Sequence, residues 1–393
     1  MKVVFAHTDY RLYWPARLGA ARDFFRERGV EVRVLEISGQ GSPYAFAEQT
    51  REHTEWWRCL FPQERMEKIA PRRASAALFR ALDELQPDVV FGGAVAYPSG
   101  ATVLCWAQRR NRRAVIVDDA RLRDVPRSWL VNAVKRRMFA NADAWFLPAP
   151  SHVPDYEFWG VPAERMFFGA DCVDNSFFAE RAEKARTEAA RWRRELDLPE
   201  RFILGVGRQV EKKNWKGLVE ASGGVDLVLI GNGPDREQLE KMAGRNVRFR
   251  DFVSPEMLAV YYGLATALVL PSAPGETWGL VVNEAMACGL PVLVSRQAGC
   301  AATLVEHGGN GWVLDAQESA NIAAALRQLW QCPPAELARM GERSRQIVAK
   351  WGLPRFCEGA WAAFQCALQS PKKPATLVDR ALLGLWNGRY RPA

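Results

Sequence analysis

The segment Pro274-Gly275-Glu276-Thr277-Trp278-Gly279-Leu280-Val281-Val282-Asn283-Glu284-Ala285-Met286-Ala287-Cys288-Gly289-Leu290-Pro291-Val292 decides how the rest of the chain is read. Residues 267–270 are apolar and predict a strand that runs into a loop holding Pro271, Pro274 and Gly275. Gly279 opens a short helix over 280–288, and Gly289 with Pro291 stops it before a further strand at 292–294. Strand, helix, strand is one step of a parallel α/β sheet. The helix N-terminus then lies at the mouth of the sheet, where its backbone N–H groups suit an anion such as a diphosphate. Glu276 precedes the helix, and Glu284 sits inside it among Leu280, Val281, Val282, Ala285, Met286 and Ala287. A carboxylate on so apolar a helix is costly to bury without partners. Vicinal hydroxyls of a sugar or a ribose can serve, each donating to a carboxylate oxygen. A surface glutamate at a chance spacing is the alternative.

Outward from this segment the same alternation continues. Strands are predicted at 202–206, 225–230 and 247–250, with helices at 215–221, 236–243, 255–263, 320–330 and 334–350. The first of these strands ends in Gly205-Val206-Gly207-Arg208, and Lys213 follows five residues later. Glycines let a ligand approach the backbone, and two cations past a strand end can neutralise a leaving diphosphate. Gly231-Asn232-Gly233-Pro234 follows the next strand at the same edge. Alone it is only a turn. Towards the N-terminus a second series has strands at 3–6, 30–35, 89–91, 114–117, 144–147 and 166–168, and helices such as 16–28 and 74–85. Residues 175–195 are densely charged and read as an exposed helix near a linker. The tail predicts helices at 354–368 and 375–386. Two doubly wound domains facing each other is the economical architecture, with ligands at the carboxyl ends of the strands.

Together these pieces resemble the retaining glycosyltransferases of family 4 (group 1). The match rests on G-x-G-R with Lys213, I-G-x-G-P at 230–234, E-x(7)-E-A-M-A-x-G-x-P-V at 276–292, and Leu304-Val305-Glu306-His307-Gly308 with Asn310-Gly311. It is dense over 202–314, with its motifs in order. The resemblance implies a GT-B fold, two Rossmann-like domains across a cleft. The expected division is an acceptor-binding domain at 1–178, a linker helix at 179–200, a donor-binding domain at 201–352, and helices at 353–393 packing back on the first domain. It further implies a hexosyltransferase-type enzyme moving a sugar from a nucleotide-diphosphate sugar, UDP or GDP by expectation, to a hydroxyl acceptor. Anomeric configuration would be retained, and neither a metal nor a cofactor would be needed. Arg208 and Lys213 would hold the diphosphate, and Glu276 the transferred sugar. Thr277, Trp278, Gly279 and Leu280 would lie by the phosphates, and Glu284 would bind the ribose. Gly207, Gly231, Asn232 and Gly233 would line the donor, with Phe252 and Val253 near the base. A weaker similarity to capsule and exopolysaccharide glycosyltransferases covers residues 165–178.

The first domain is less legible. In place of the family's glycine-rich loop stands His7-Thr8-Asp9-Tyr10-Arg11, and in place of its His-Asp pair stands Asp118-Asp119. His7, Asp9, Tyr97, Asp118 and Asp119 are the candidate acceptor-binding residues. Each has a structural alternative, since a strand-end Asp often caps the next helix and His7 can be a satisfied half-buried histidine. Seven tryptophans fall here: Trp14, Trp56, Trp57, Trp106, Trp129, Trp145 and Trp159. Aromatic faces stack on sugars, but packing is the commoner use.

Composition bounds the rest. The 393 residues are 48% apolar, with no membrane-length apolar run and no leader-like start, which predicts a cytoplasmic protein. The eight cysteines are scattered without zinc or disulfide spacing. Net charge is +8, and +7 of it falls within 109–137. Such a run can meet a phosphate-bearing substrate or an anionic membrane, or be a solvated helix face. Nucleic acid is the least favoured partner, because no helix-turn-helix, RRM or zinc-finger pattern accompanies the charge. The C-terminal Leu382-Leu383-Gly384-Leu385-Trp386, among Arg380, Arg389 and Arg391, reads as a helix packed on the first domain or, alternatively, as a peripheral membrane contact on the inner face. The acceptor would be a glycan, a lipid-linked saccharide or a small natural product. An inactive scaffold of the same fold and a sugar-nucleotide epimerase are the rival readings.

Overall fold

A computed structural model of the chain describes residues 1–41, 54–372 and 374–389; Arg391 therefore lies outside the described residues. The chain divides into two compact units. The first comprises Met1–Leu122, Pro126–Cys172 and Leu353–Ala393, the second Arg123–Val125 and Val173–Gly352.

The first unit holds seven strands: β1 (Lys2–His7), β2 (Glu31–Gln40), β3 (Trp57–Arg65), β4 (Val89–Gly92), β5 (Arg113–Val117), β6 (Ala144–Leu147) and β7 (Met166–Phe168). They form one parallel sheet in the order β3-β2-β1-β4-β5-β6-β7. Alternate residues feed two apolar layers, as a doubly covered sheet requires. Val3, Phe5, Phe91, Val115 and Phe146 pack under helices Trp14–Arg26 and Leu353–Gln369. Val4, Ala6, Val90, Ile116 and Trp145 face helices Pro71–Leu85, Pro98–Arg109 and Trp129–Phe139.

The second unit repeats the plan with β8 (Ile203–Val206), β9 (Leu227–Ile230), β10 (Val247–Arg250), β11 (Ala267–Leu270), β12 (Val292–Ser295) and β13 (Gly311–Leu314). All are parallel, in the order β10-β9-β8-β11-β12-β13. Strand order reverses between β1 and β4 in one sheet and between β8 and β11 in the other. Doubly wound sheets hold their ligands at such reversals.

Three departures from the sequence reading have physical reasons. β3 was not predicted: its Arg58, Pro62, Glu64 and Arg65 look unlike a strand, but it is an edge strand and needs few apolar residues. The four-residue β13 also lies at an edge. The region expected to be a linker is two helices, Asn175–Thr187 and Ala189–Glu195, belonging to the second unit. The first packs on helix Pro255–Leu264 so closely that a Cβ on Gly263 would lie 2.6 Å from the Ala182 carbonyl oxygen.

At least five of the ten basic residues at 109–137 are paired, four with carboxylates outside the run and one with Asp118 inside it. Arg110 pairs with Asp83, Arg112 with Asp88, Arg113 with Asp143, Lys135 with Asp118 and Arg137 with Asp379. It is therefore no uniform patch. In the tail, Leu383 is buried, the Trp386 indole donates to the Val95 carbonyl (2.8 Å), and the Arg389 N–H donates to Ala96 (2.7 Å). Among the described residues no helix is long and apolar enough to cross a membrane.

Candidate active site

The β8 and β9 loops of the second unit are joined backbone to backbone. Gly207 N–H donates to Ile230 and Gln209 N–H to Asn232, so the pairing runs on past both strand ends. A Cβ on Gly231 (φ +138°) would fall 2.0 Å from the Gly207 carbonyl oxygen, and one on Gly233 would fall 2.3 Å from that of Gln209. Only glycine fits either place. The Trp215 indole fixes the Arg208 carbonyl at 2.9 Å. Asn232 is held by its own amide, which donates to Asp251 at 3.3 Å, and its Oδ1 accepts from Gly233 N–H. Past β10, Phe252 stands exposed and Val253 half-buried.

The β11 loop approaches the β8 loop through side chains. Lys213 Nζ lies 2.6 Å from Glu276 Oε2, and the Ser272 hydroxyl donates to the same oxygen at 3.0 Å. Burial alone would raise the Glu276 carboxyl, but Lys213, with help from Ser272 and Lys212, holds it below the usual carboxylate range. Glu276 is thus ionised, and it faces a cation at the sheet's reversal point.

The segment 276–279 is clamped from behind. Gly299 N–H donates to the Glu276 carbonyl and Cys300 N–H to that of Trp278, and a Cβ on Gly299 would lie 1.7 Å from the Thr277 carbonyl oxygen. Gly279 (φ +108°) turns the chain into helix Leu280–Ala287, a backbone shape that favours glycine. The Trp278 indole folds back to donate to Asn283 Oδ1 at 2.9 Å.

Glu284 is 1% exposed, which excludes a surface glutamate at a chance spacing. The hydroxyl it receives is Tyr262's, at 2.6 Å. Tyr262, Ser272 and Asn283 went unmarked in the sequence reading. Each acts on a partner through the fold, with no local signature beyond a polar residue in an apolar helix or a loop.

In the first unit the acceptor candidates all reach the carboxyl edge of β1, β4 and β5, but much of their charge is already engaged. Asp9 pairs with buried Arg11 at 3.4 Å. Asp118 is buried and lies 3.5 Å from Lys135, whose ammonium sits 3.4 Å from the Trp159 ring centroid. Burial lowers the Lys135 pKa, with Asp118 opposing. Burial raises the Tyr97 phenol, reinforced by Asp119 and Asp118, so these three groups share one field. His7 packs beside Tyr10 and Trp14, with ring centroids 5.5 and 5.6 Å apart, and burial lowers its pKa against Asp9. A Cβ on Gly93 would lie 2.8 Å from His7 Nε2 and 2.9 Å from Ser99 Oγ, so β4 brings its backbone against this corner. Of the seven tryptophans, Trp106, Trp145 and Trp159 are fully buried in the core, and Trp57 is buried with its indole donating to Glu36.

Comparison with known proteins bears on the family and the fold. Residues 186–347 match the family model described as "Glycosyl transferases group 1", and residues 20–168 match a "Glycosyl transferase 4-like domain". Among characterised relatives, the D-inositol 3-phosphate glycosyltransferase of Streptomyces avermitilis is 32% identical over 142 residues, covering 35% of this chain and 30% of that one. A GDP-mannose-dependent alpha-(1-6)-phosphatidylinositol dimannoside mannosyltransferase of Mycobacterium tuberculosis is 34% identical over 172 residues, covering 41% and 44%. The matches to the first such relatives span 30% to 55% of their length. Solved structures align over nearly the whole chain. Sucrose-phosphate synthase from Thermosynechococcus elongatus has a TM-score of 0.73 at 19% identity, covering 93% of this chain and 98% of its own. Anabaena Alr3699/HepE, solved with UDP and glucose, has 0.72 at 18%, covering 93% and 99%. At these identities the structures speak for the GT-B fold.

Proposed function

This chain belongs to the group 1 glycosyl transferases of the GT-B fold, and on that premise we propose that it moves a sugar from a nucleoside-diphosphate sugar to a hydroxyl acceptor. The observation that carries the proposal is the Lys213–Glu276 pair, braced by Ser272, at the reversal point of the second sheet.

In the free protein the two charges satisfy each other. A donor offers each a better partner, with phosphate oxygens for Lys213 and Arg208 and sugar hydroxyls for Glu276. The first-turn N–H groups after Gly279 add a partial positive charge where the diphosphate leaves. Cations and a helix terminus then supply the stabilisation that a metal gives in other phosphate chemistry. The acceptor hydroxyl attacks the anomeric carbon on the face the diphosphate leaves, and a departing phosphate oxygen takes its proton, so configuration is retained. Glu284 accepts hydrogen bonds from the ribose diol, exchanging or sharing the Tyr262 hydroxyl. UDP and GDP are the nucleotides we favour; the structural and sequence relatives named above include one solved with UDP and one that is GDP-mannose-dependent. The acceptor is a glycan, a lipid-linked saccharide or a small natural product, received by the unit that carries His7, Asp9, Tyr97, Asp118 and Asp119.

A thermal-shift panel with UDP, GDP, ADP, CDP and dTDP tests the reading on wild type and Glu284→Ala. A nucleotide at a hundredfold its Kd stabilises the native state by about 2.7 kcal/mol. One nucleotide should shift wild type and shift the variant much less. No shift with any nucleotide would overturn the donor site and leave the inactive scaffold. Unchanged affinity in the variant would remove the ribose role.

A further inference from the structure

Among the described residues ten large apolar side chains stand exposed, and seven of them are on three helices of the first unit, one of which touches each of the other two. Trp129 (80% exposed), Leu130 and Val131 form the first turn of helix Trp129–Phe139. Phe158 ends helix Val153–Phe158, and its carbonyl accepts from Arg136 of the first helix. Leu377 (82%), Val378 and Leu385 lie on helix Leu377–Leu385, joined to the first by Arg137, which pairs with Asp379 and donates to Thr376. In a chain whose other large apolar side chains are mostly buried, this concentration on one set of neighbours marks an interaction surface.

Charge identifies the partner. From Pro126 to Asn141 there is no acidic residue, while Arg127, Lys135, Arg136 and Arg137 all fall there. Lys135 is turned inward to Asp118, and Arg137 is matched by Asp379. Arg136 stays exposed, its guanidinium 5.7 Å from the Phe158 ring centroid, and Arg380 is exposed beside Leu377 and Val378. Glu157 is the one exposed carboxylate on the three helices. An indole and aliphatic side chains splayed around a helix start, flanked by guanidinium groups, suit a surface with hydrocarbon beneath and phosphate beside it. A second copy docked on the same face by a two-fold axis would set these arginines against their own like charges.

We propose that this face, centred on Trp129, Leu130 and Val131 with Arg136 and Arg380, docks the protein on an anionic lipid bilayer. The apolar side chains enter the headgroup boundary, and the arginines reach the phosphates with their stems laid along it. The surface shares Leu385 and Arg380 with the C-terminal segment 380–386 singled out in the sequence, but Leu383 and Trp386 of that segment are turned into the first unit and the face is centred on another helix. It rests on no step of the proposed sugar transfer.

Vesicle flotation without nucleotide or acceptor tests it, comparing phosphatidylcholine vesicles with vesicles containing phosphatidylglycerol. Wild type should float with the anionic vesicles only. Trp129→Glu with Leu130→Glu should bind at least roughly tenfold more weakly, and Arg136→Glu with Arg380→Glu should lose the dependence on anionic lipid. Trp129, Leu130 and Arg380 are exposed, and Arg136 also donates to Phe158, so the first variant should keep the wild-type melting point, the second is assayed well below its own, and both should keep the nucleotide shift. No flotation of wild type, equal binding to both vesicle types, or undiminished binding by the variants would each overturn the proposal. So would a dimer in light scattering that Trp129→Glu with Leu130→Glu dissolves, which would assign the face to a second copy. Because nucleotide binding is read separately, failure here leaves the transfer reading standing, and failure there leaves this one.

Discussion

The two sheets share a strand order, yet their carboxyl edges are built from different materials. In the second unit the edge is made of backbone: Gly231 against Gly207, Gly233 against Gln209 and Gly299 against Thr277, each too close for a Cβ. Its charged side chains, Lys213 and Glu276, converge on one point. In the first unit backbone closes as tightly in the turn after β4, where Gly100 meets Gly93, and the rest of the edge is made largely of side chains that answer one another. Asp9 holds Arg11, Asp118 holds Lys135, and Glu36 accepts from the Tyr10 N–H and the Trp57 indole. A backbone-built edge tolerates little substitution and suits a ligand part common to many relatives, such as a nucleoside diphosphate. A side-chain-built edge can be redesigned one pair at a time, which suits a ligand peculiar to one protein.

The largest effect that bears on this contrast is chemical. Arg208→Ala combined with Lys213→Ala should lower sugar transfer by roughly 10³-fold or more in a protein that still folds, at a melting point lowered by the loss of the cation that partners Glu276. Near-normal turnover would remove the leaving-group role from the second edge.

Next comes stability in the first edge. Asp118→Ala leaves the Lys135 ammonium buried without its carboxylate, and breaking such a pair costs about 3–5 kcal/mol. Chemical denaturation should show that loss with nucleotide affinity unchanged, and Lys135→Met in the same chain should recover part of it. If Asp118→Ala were as stable as wild type but failed to transfer, Asp118 would touch substrate and the contrast between the edges would weaken.

The smallest effect is a pH dependence. Lys213 keeps the Glu276 carboxyl depressed in the folded protein, so its stabilisation is present above the ordinary glutamate value and is lost as pH falls through the folded one. Glu276→Gln lacks this term. The stability gap between the two proteins should therefore narrow as pH drops below about 4.5. A gap that held constant down to about pH 3 would mean that the pair adds nothing to the fold.

The second edge was legible in the sequence because a glycine marks its own position, even where the backbone that crowds it lies more than twenty residues away. Glycines at 207, 231, 233, 279 and 289 stand beside the residues they free, and helix Trp215–Ala221 was placed to the residue. What went unread depends on distant partners. Nothing near Glu284 announces Tyr262, which is 22 residues away. Nothing near Arg110 announces Asp83, and at least half of the basic residues in that run are likewise held in separate pairs. β3 is hidden for the opposite reason: with a neighbour on one side only, its sequence need not look like a buried strand. In the first unit, His7 and Asp118 stand at strand ends as read, but their neighbours Ser99 and Lys135 come from other helices and carry no spacing that a motif could record.

The return of helix Leu353–Gln369 to the first sheet has a consequence for biosynthesis. All seven strands of that sheet have been made by Phe168, but Phe356, Ala360 and Phe364, which cover its Phe5, Phe91 and Phe146 face, follow about 200 residues later. At 5–20 residues per second that is roughly 10–40 s on the ribosome. The second unit, nearly continuous from Val173 to Gly352, can complete itself during that interval. An aromatic sheet face meanwhile waits for its lid, the stage at which a chaperone would find this chain and a ribosome stalled before residue 353 would leave it adhesive.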